Sequence, residues 1–571
     1  MESGAGDPNT TPEAESPVTE GMADDGGGLG SVEEDASGRD ASGVEWRFDA
    51  GELETVEGWL EEHFAVPGLV LGSGETKNLS DFYYDTESWI FYRSGYALRI
   101  RQRGKTAEAT LQSLSRAAGG FEERREISES LDDGELATLK KSTGKVGERV
   151  RALAGGNELH RLFEVRTRRR SFPFRAVDSE GEPAGDALGE VSLDESEVPL
   201  EAGEEPARVL RVEVQAVEEA AEALQPIVRR LESELDLSPT PISKYQVGLY
   251  ATGLVPEAGA DLGPTDVDED LSAGEVAYAI LRRQYAALLE HEPGSRLGED
   301  PEDLHDMRVA SRRMRAAIKL FSEALPERAL WFEGELRWLA GALGDVRDLD
   351  VQVDQLRAWS AADEEADAEA FESMVGVILE QRARARERML DALDSSRYRR
   401  LVVSLAALLS RDPVRGPETG PQAAEPVTEY APGVLSRRYS KFRKAAGRIA
   451  ATSQPEPYHE LRKKGKRLRY ALEFLAEAYG KPVKKPIRPL KSLQDDLGRH
   501  QDAVVAADRL RELSTSAEHD LAQETIYAMG SYAERYQREA AELRAGLPGS
   551  KAFKRLTSRE AQKDLEKSLE K

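Results

Sequence analysis

The sequence predicts an α+β protein of two unlike parts, a β barrel followed by an all-α bundle built from two related halves. Three observations predict it. Charged and apolar residues alternate with period two from about Val44 to Gly253. From about residue 274 to 545 the apolar period lengthens to that of a helix. Within that helical stretch one basic pattern occurs twice, which marks an internal duplication.

At 571 residues the chain exceeds what one ordinary core serves, so two or three domains are expected. Residues 1–42 are Gly, Ser, Pro, Asp and Glu with almost no large apolar groups. Such a segment cannot bury enough surface to offset its ordering entropy and is expected to be a disordered acidic tail.

Residues 43–253 read as strands. Ala97-Leu98-Arg99-Ile100-Arg101 alternates apolar and cationic, as do Val165-Arg166-Thr167-Arg168 and Val209-Leu210-Arg211-Val212-Glu213. Period two places each charged set on one strand face. Because those faces recur on many strands and are mostly Arg, a closed barrel with a cation-lined interior accounts for them.

Residues 254–272 form an acidic Pro/Gly linker. Residues 273–545 read as a helical domain with halves at about 273–411 and 433–545, separated by a Pro/Glu loop at 412–433. The mixed-charge segment 546–571 is expected to be a loose tail.

The repeat begins at His305 and again at His459, 154 residues later. At offsets 0, 3, 7, 8 and 10 the first copy has His305, Arg308, Arg312, Arg313 and Arg315. The second has His459, Arg462, Lys466, Arg467 and Arg469. A Leu-Gly pair (Leu343-Gly344, Leu497-Gly498) and an Asp (Asp348, Asp502) follow each at matching distances. At about 100° per residue, offsets 0, 3, 7 and 10 share one helix face. Several guanidinium groups on one stripe repel unless counter-charge is supplied, and carboxylates at i±4 are nearly absent. A duplicated fold brings two such stripes together. A linear polyanion in a groove between them would relieve the repulsion, held by Arg forks with His as a further donor. Asp348 and Asp502 are expected to brace the basic helices by ion pairs. The cationic neighbours of His305 and His459 argue against metal binding there.

Net charge is −28 and the pI near 4.9, which argues against a general nucleic-acid coat or a binder of anionic membranes. The carboxylate excess suits a cytosol at high salt, so a halophilic, cytoplasmic protein is expected. Without cysteine, neither disulfides nor thiolate chemistry is available. No apolar run is long enough for a membrane span, and no basic, apolar leader pattern opens the chain.

The stretches His305-Asp306-Met307-Arg308-Val309-Ala310-Ser311-Arg312-Arg313-Met314-Arg315 and Leu343-Gly344-Asp345-Val346-Arg347-Asp348 resemble the CHAD family, the conserved-histidine α-helical domain, over about residues 273–545. The resemblance implies a duplicated helical bundle whose basic faces bind inorganic polyphosphate. It carries that role to His305, Arg308, Arg312, Arg313, Arg315, His459, Arg462, Lys463, Lys466, Arg467 and Arg469. Lys319 has no counterpart, because Glu473 occupies its place in the second copy.

Residues 44–252 resemble the CYTH, or triphosphate-tunnel, family through Tyr83-Tyr84-Asp85-Thr86, Ala97–Arg101, Arg124-Arg125-Glu126, Glu190–Asp194 and Ser243-Lys244-Tyr245. The resemblance implies an eight-stranded antiparallel tunnel in which cations hold a triphosphate and carboxylates hold Mg²⁺ or Mn²⁺. Arg99, Arg101, Arg124, Arg166, Arg168 and Lys244 would be the triphosphate-binding cations. Glu45, Arg47, Glu126, Glu190, Asp194 and Glu213 would be the catalytic set, with Glu45 and Glu213 the metal ligands. The chain departs from the pattern. The family's opening Glu-x-Glu-x-Lys is Gly43-Val44-Glu45-Trp46-Arg47, a later Glu-x-Glu is Arg211-Val212-Glu213, and Gln112 stands where a Lys is expected. Two lost carboxylates weaken a site for a hard dication and favour an anion-binding pocket over a hydrolase. The leading expectation is therefore a polyphosphate-binding protein, associated with polyphosphate granules, whose degenerate tunnel binds chain ends. The alternatives are a metal-dependent triphosphatase or polyphosphatase, with the bundle as substrate anchor, and a nucleic-acid binder. The last lacks stacking aromatics among the stripe cations, Tyr470 apart.

Overall fold

The computed structural model describes residues 39–569 apart from 65, 105, 115–121, 179–181, 201–204, 236, 241, 257–260, 363–366, 416–418, 451 and 517–519. The strands are β1 (Arg39–Asp49), β2 (Leu69–Leu71), β3 (Glu75–Asp85), β4 (Tyr96–Arg103), β5 (Thr106–Ser113), β6 (Glu122–Leu131), β7 (His160–Val177), β8 (Pro183–Val198), β9 (Ala207–Ala216) and β10 (Ser238–Pro239). Six helices accompany them: α1 (Leu53–His63), α2 (Ile90–Arg93), α3 (Leu136–Lys141), α4 (Lys145–Ala154), α5 (Glu218–Glu234) and α6 (Lys244–Thr252). The bundle holds α7 (Ala273–Glu290), α8 (Glu292–Leu297), α9 (Pro301–Leu320), α10 (Ala329–Ser360), α11 (Ala368–Asp394), α12 (Ser396–Leu409), α13 (Val427–Ala446), α14 (Pro455–Tyr479), α15 (Lys481–Lys484), α16 (Ile487–Thr515), α17 (Gln523–Gly546), α18 (Lys551–Thr557) and α19 (Arg559–Leu569).

All ten strands join one antiparallel sheet. The path β1-β6-β5-β4-β3-β7-β8-β9 closes on itself, because Glu45, Arg47 and Asp49 of β1 lie opposite Gln215, Glu213 and Arg211 of β9. Eight strands thus make the tunnel wall. The short β2 and β10 add to it, so the whole sheet exceeds the expected eight. Helices cover the outside of the wall. Val44, Trp46 and Phe48 face Leu224, Ile227 and Leu231 of α5, and Leu98 and Ile100 face Val146, Val150 and Leu153 of α4. The other parity of the same strands, Glu45, Arg47, Arg99 and Arg101, points inward. The polar face is therefore the enclosed one, because the apolar residues are used outside.

The bundle has one continuous apolar core that both halves share. Ser272 caps α7 in a capping box with Glu275, and Asp300 accepts from the Glu302 amide at the start of α9, with Pro301 at its first position.

Three sequence boundaries shift. Residues 1–38 of the expected disordered tail lie outside the described residues, and β1 already occupies 39–42, paired with β6. The second half begins at Val427, not 433, because α13 tolerates Pro432. The Thr428 carbonyl, which loses its helical donor at Pro432, accepts from the Tyr479 hydroxyl at 2.9 Å instead. The segment expected to be a loose tail folds as α18 and α19 and buries Phe553, Leu556, Leu565 and Leu569 in the bundle core. Leu556 and Leu565 sit nine residues apart on two short helices, too brief a pattern for periodicity to reveal.

Candidate functional site

The two basic helices meet at one cavity. About 510 Å³ in volume, it is lined by His305, Arg308 and Arg312 of α9 and by His459 and Arg462 of α14, together with residues of α10, α16 and α17. Six Arg line it (Arg308, Arg312, Arg347, Arg462, Arg499, Arg509) against three carboxylates (Asp348, Asp502, Glu539). Arg308 pairs with Asp348 at 3.1 Å and Arg462 with Asp502 at 3.8 Å, the bracing expected from the repeat. Gly344 lets Arg308 lie close against α10: a Cβ there would lie 3.2 Å from its Nε. Gly498 has no such neighbour, so the two halves differ at the equivalent position. His459 Nδ1 lies 2.7 Å from Gln501 Oε1.

The electrostatics of the cavity are under-compensated. Lys466 of α14 stands beside these arginines though not in the cavity lining, and burial, then Arg462, Arg312 and Arg308, push its ammonium down to about 7. Burial also lowers Arg308 and Arg462, against the help of Asp348 and Asp502 respectively, and neighbouring guanidinium groups add to the lowering. His305 is lowered by burial and by Arg347. The Nε donors of Arg308, Arg312, Arg347 and Arg462 are buried without a hydrogen-bond partner.

The rest of each stripe is engaged outside this cavity. Glu473 takes Arg313 at 2.6 Å and Arg469 at 3.5 Å, tying α9 to α14. Glu333 takes Arg315 at 2.9 Å and Lys319 at 2.8 Å. Lys463 is exposed and pairs with Glu460, and Arg467 lines a different cavity. Arg313, Arg315, Lys463, Arg467 and Arg469 are therefore not among the groove residues, although the repeat groups them with it. The reasons differ: offset 8 stands about 80° from offset 0 on the side away from offset 3, whereas offset 10 shares the face of offset 3 but lies about 10 Å farther along the axis, where Glu333 and Glu473 meet it. Arg499 and Arg509 were not singled out in the sequence. Arg499 aligns with Asp345 of the first copy, so the repeat conceals it.

The tunnel interior is built differently. Glu45, Arg47, Arg99, Arg101, Gln112, Glu126, Glu213 and Lys244 line it. Its central free space is only about 30 Å³, roughly what one or two water molecules need. Cations and carboxylates fill it by pairing. Arg101 donates to Asp81 through Nε at 2.7 Å and Nη2 at 2.8 Å. Arg169 forks onto Asp194 at 2.8 and 2.7 Å and also reaches Glu213 at 2.6 Å and Glu190 at 3.3 Å. Lys244 pairs with Asp194 and stands 3.1 Å from Glu213. Arg47 lies 3.6 Å from Glu45, and Arg99 3.9 Å from Glu126. Burial would raise Glu213, but Lys244, Arg169 and Arg211 hold it well below the usual carboxylate range. Burial would raise Asp81, but Arg101, helped by Arg99 and Lys244, brings it down to about 2. Beside Arg99, the rings of Tyr83, Phe163 and Tyr245 pack at 5.0 to 5.8 Å. Gly248 of α6 lies so close that a Cβ would be 2.0 Å from Phe163.

Two predicted tunnel cations are outside. Arg166 and Arg168 are 61% and 70% exposed and pair with Glu164 and Glu195. Thr167, Arg169 and Ser171 are the buried parity. The inward residue missed in the sequence is thus Arg169, hidden in the run Arg168-Arg169-Arg170, where only Thr167 and Ser171 reveal the register. Arg124 lies in β6, with its side chain outside the described residues.

The expected metal ligands do not fit a Mg²⁺ or Mn²⁺ ion. Glu213 is held by Arg169 and Lys244, and Glu45 accepts from Gln215 at 3.0 Å beside Arg47. Among the described residues no group of three or more His, Asp or Glu is placed to hold a metal.

A CYTH domain model matches residues 67–245 and a CHAD domain model residues 279–511. The chain is a CYTH domain followed by a CHAD domain. Among solved structures, the CHAD domain from the plant Ricinus communis is 27% identical, covering 52% of this chain and 98% of that one, with a TM-score of 0.42. PptA from Streptomyces chartreusis is 22% identical, covering 50% and 99%, with a TM-score of 0.41. HpAC1 from Hippeastrum, described as having a dominant triphosphatase activity, is 17% identical over 38% and 98%, with a TM-score of 0.27. No curated protein matches the chain.

Proposed function

We propose that the chain binds inorganic polyphosphate along the groove between α9 and α14. The observation that carries this is the meeting of both repeats, His305, Arg308 and Arg312 with His459 and Arg462, at a single cavity. A phosphate chain carries one negative charge or more per unit and presents oxygens on all sides. It would relieve the repulsion that lowers Lys466 and satisfy the unpartnered guanidinium donors. The aromatic residues beside the groove cations, Tyr536 and Tyr470, are buried and packed on Trp359 and Phe474 rather than open to a base, which favours a chain without bases over nucleic acid. A binder of this kind would follow its ligand into cytoplasmic polyphosphate granules. None of the described helices is long and apolar enough to cross a membrane, so membrane attachment through one of them is not part of the proposal.

In this account the tunnel is a self-neutralised companion domain. Its cations are already paired, so holding a chain end would require displacing internal carboxylates. The alternative, a metal-dependent triphosphatase, needs Glu45 and Glu213 released from their cationic partners. Two assays separate the readings. Long polyphosphate should displace itself but resist displacement by RNA at equal charge. Tripolyphosphate incubated with Mg²⁺ or Mn²⁺ should release no phosphate. Efficient RNA competition would defeat the polyphosphate assignment, and metal-dependent phosphate release would restore the hydrolase.

A further inference from the structure

A second basic cavity, of about 380 Å³, lies against another face of α14, where the C-terminal end of α9 meets α13. Lys319, Arg437, Arg438, Lys441, Lys464 and Arg467 line it against one carboxylate, Glu323. The chain as a whole has 106 acidic and 78 basic residues, so this ratio reverses the bulk. Lys319 is engaged by Glu333 at 2.8 Å, and Lys464 stands 3.9 Å from Glu460. Arg437, Arg438, Lys441 and Arg467 have no carboxylate in ion-pairing distance among the described residues. Arg438 is half-buried. Its Nη2 donates to the Lys319 carbonyl at 2.9 Å, while its Nε is buried without a partner. Burial and the neighbouring Arg467 push it down to about 10.

The cavity is not a product of the duplication. At the first-copy positions matching Arg437, Arg438, Lys441 and Lys464 stand Arg283, Gln284, Ala287 and Ala310. It is also separate from the groove. Arg467 is one residue beyond Lys466 and Lys464 two beyond Arg462, so both stand about 100° or more round the helix from the groove cations.

We propose that this cavity is a second anion site, for a short inorganic phosphate chain. Cations from three helices, α9, α13 and α14, converge on a concavity, the arrangement that suits a compact, highly charged oxyanion with oxygens facing several ways. A nucleotide is disfavoured, because Tyr430, the aromatic residue in the lining, is buried, stacks on Phe321 at 5.8 Å and gives its hydroxyl to the Leu320 carbonyl.

The test is calorimetric titration of the full chain with tripolyphosphate. Wild type should show two binding events. Lys441→Glu with Arg467→Glu should weaken one of them at least tenfold, and Arg308→Glu with Arg462→Glu should weaken the other and leave this one. Lys441 and Arg467 are exposed, so the fold should hold. If it does not, Lys441→Gln with Arg467→Gln replaces the pair and is expected to weaken the same event. Unchanged stoichiometry and affinity in the folded cavity variant would overturn the proposal. So would a single wild-type event abolished by the groove variant. A single wild-type event abolished by the Lys441/Arg467 variant alone would uphold this site and leave the groove without a tripolyphosphate event.

Discussion

Arg308 and Asp348 form an ion pair at 3.1 Å, and the pair recurs 154 residues later as Arg462 and Asp502 at 3.8 Å. Each aspartate is half-exposed at the groove and offers its arginine an internal anion. It therefore competes with a bound polyanion. Asp348→Asn with Asp502→Asn is expected to tighten polyphosphate binding severalfold by removing two like charges, as measured by titration at fixed salt. Weaker binding would mean that the aspartates act mainly by aiming the guanidinium groups.

Lys466 gives the groove a pH dependence. In the free protein it titrates at about 7, below the usual lysine range, because burial and three arginines disfavour its charge. A bound polyanion favours that charge and raises its titration. Binding then takes up a proton between pH 7 and the higher value of the complex. Affinity should fall as pH rises above about 7, by at most about tenfold per pH unit, the limit for one proton. His305, held low by burial and Arg347, is already neutral in that window. Lys466→Met should flatten the profile, and an unaltered slope in that variant would assign the proton elsewhere.

The tunnel interior should matter for stability. Asp194 is fully buried between Arg169 and Lys244. Asp194→Asn removes one partner of a buried network and is expected to destabilise by about 3 kcal/mol or more. Urea unfolding at fixed high salt checks it, and a loss near zero would show that Glu190 and Glu213 suffice.

The C-terminal helices should also contribute. Leu556 is buried in the bundle core, and the Tyr439 hydroxyl donates to its carbonyl at 3.0 Å. Leu556→Ala should cost about 2–4 kcal/mol. A negligible change in thermal unfolding would restore the expectation of a loose tail.

Much of this was legible in the residues. The duplicated His-Arg spacing located α9 and α14 and predicted that they share one cavity, because helical period and repeat offset are both fixed by sequence. The inward face of the tunnel was legible at Arg99 and Arg101, where Leu98 and Ile100 mark the other parity. It was misjudged at Arg166 and Arg168, where consecutive cations erase the alternation. Nor could spacing alone show which carboxylates return from distant elements. Glu473 takes Arg313 and Arg469, Glu333 takes Arg315 and Lys319, and Asp194 and Glu213 close the tunnel, through contacts only the fold creates.

The most direct test of the central claim is the affinity of the full chain for long-chain polyphosphate, compared with Arg308→Glu/Arg462→Glu across a salt series. Wild-type affinity should fall steeply and linearly with the logarithm of salt concentration. The double variant, still folded by circular dichroism, should bind at least about a hundredfold more weakly with a shallower slope. Equal affinity and equal slope in the two proteins would contradict the groove.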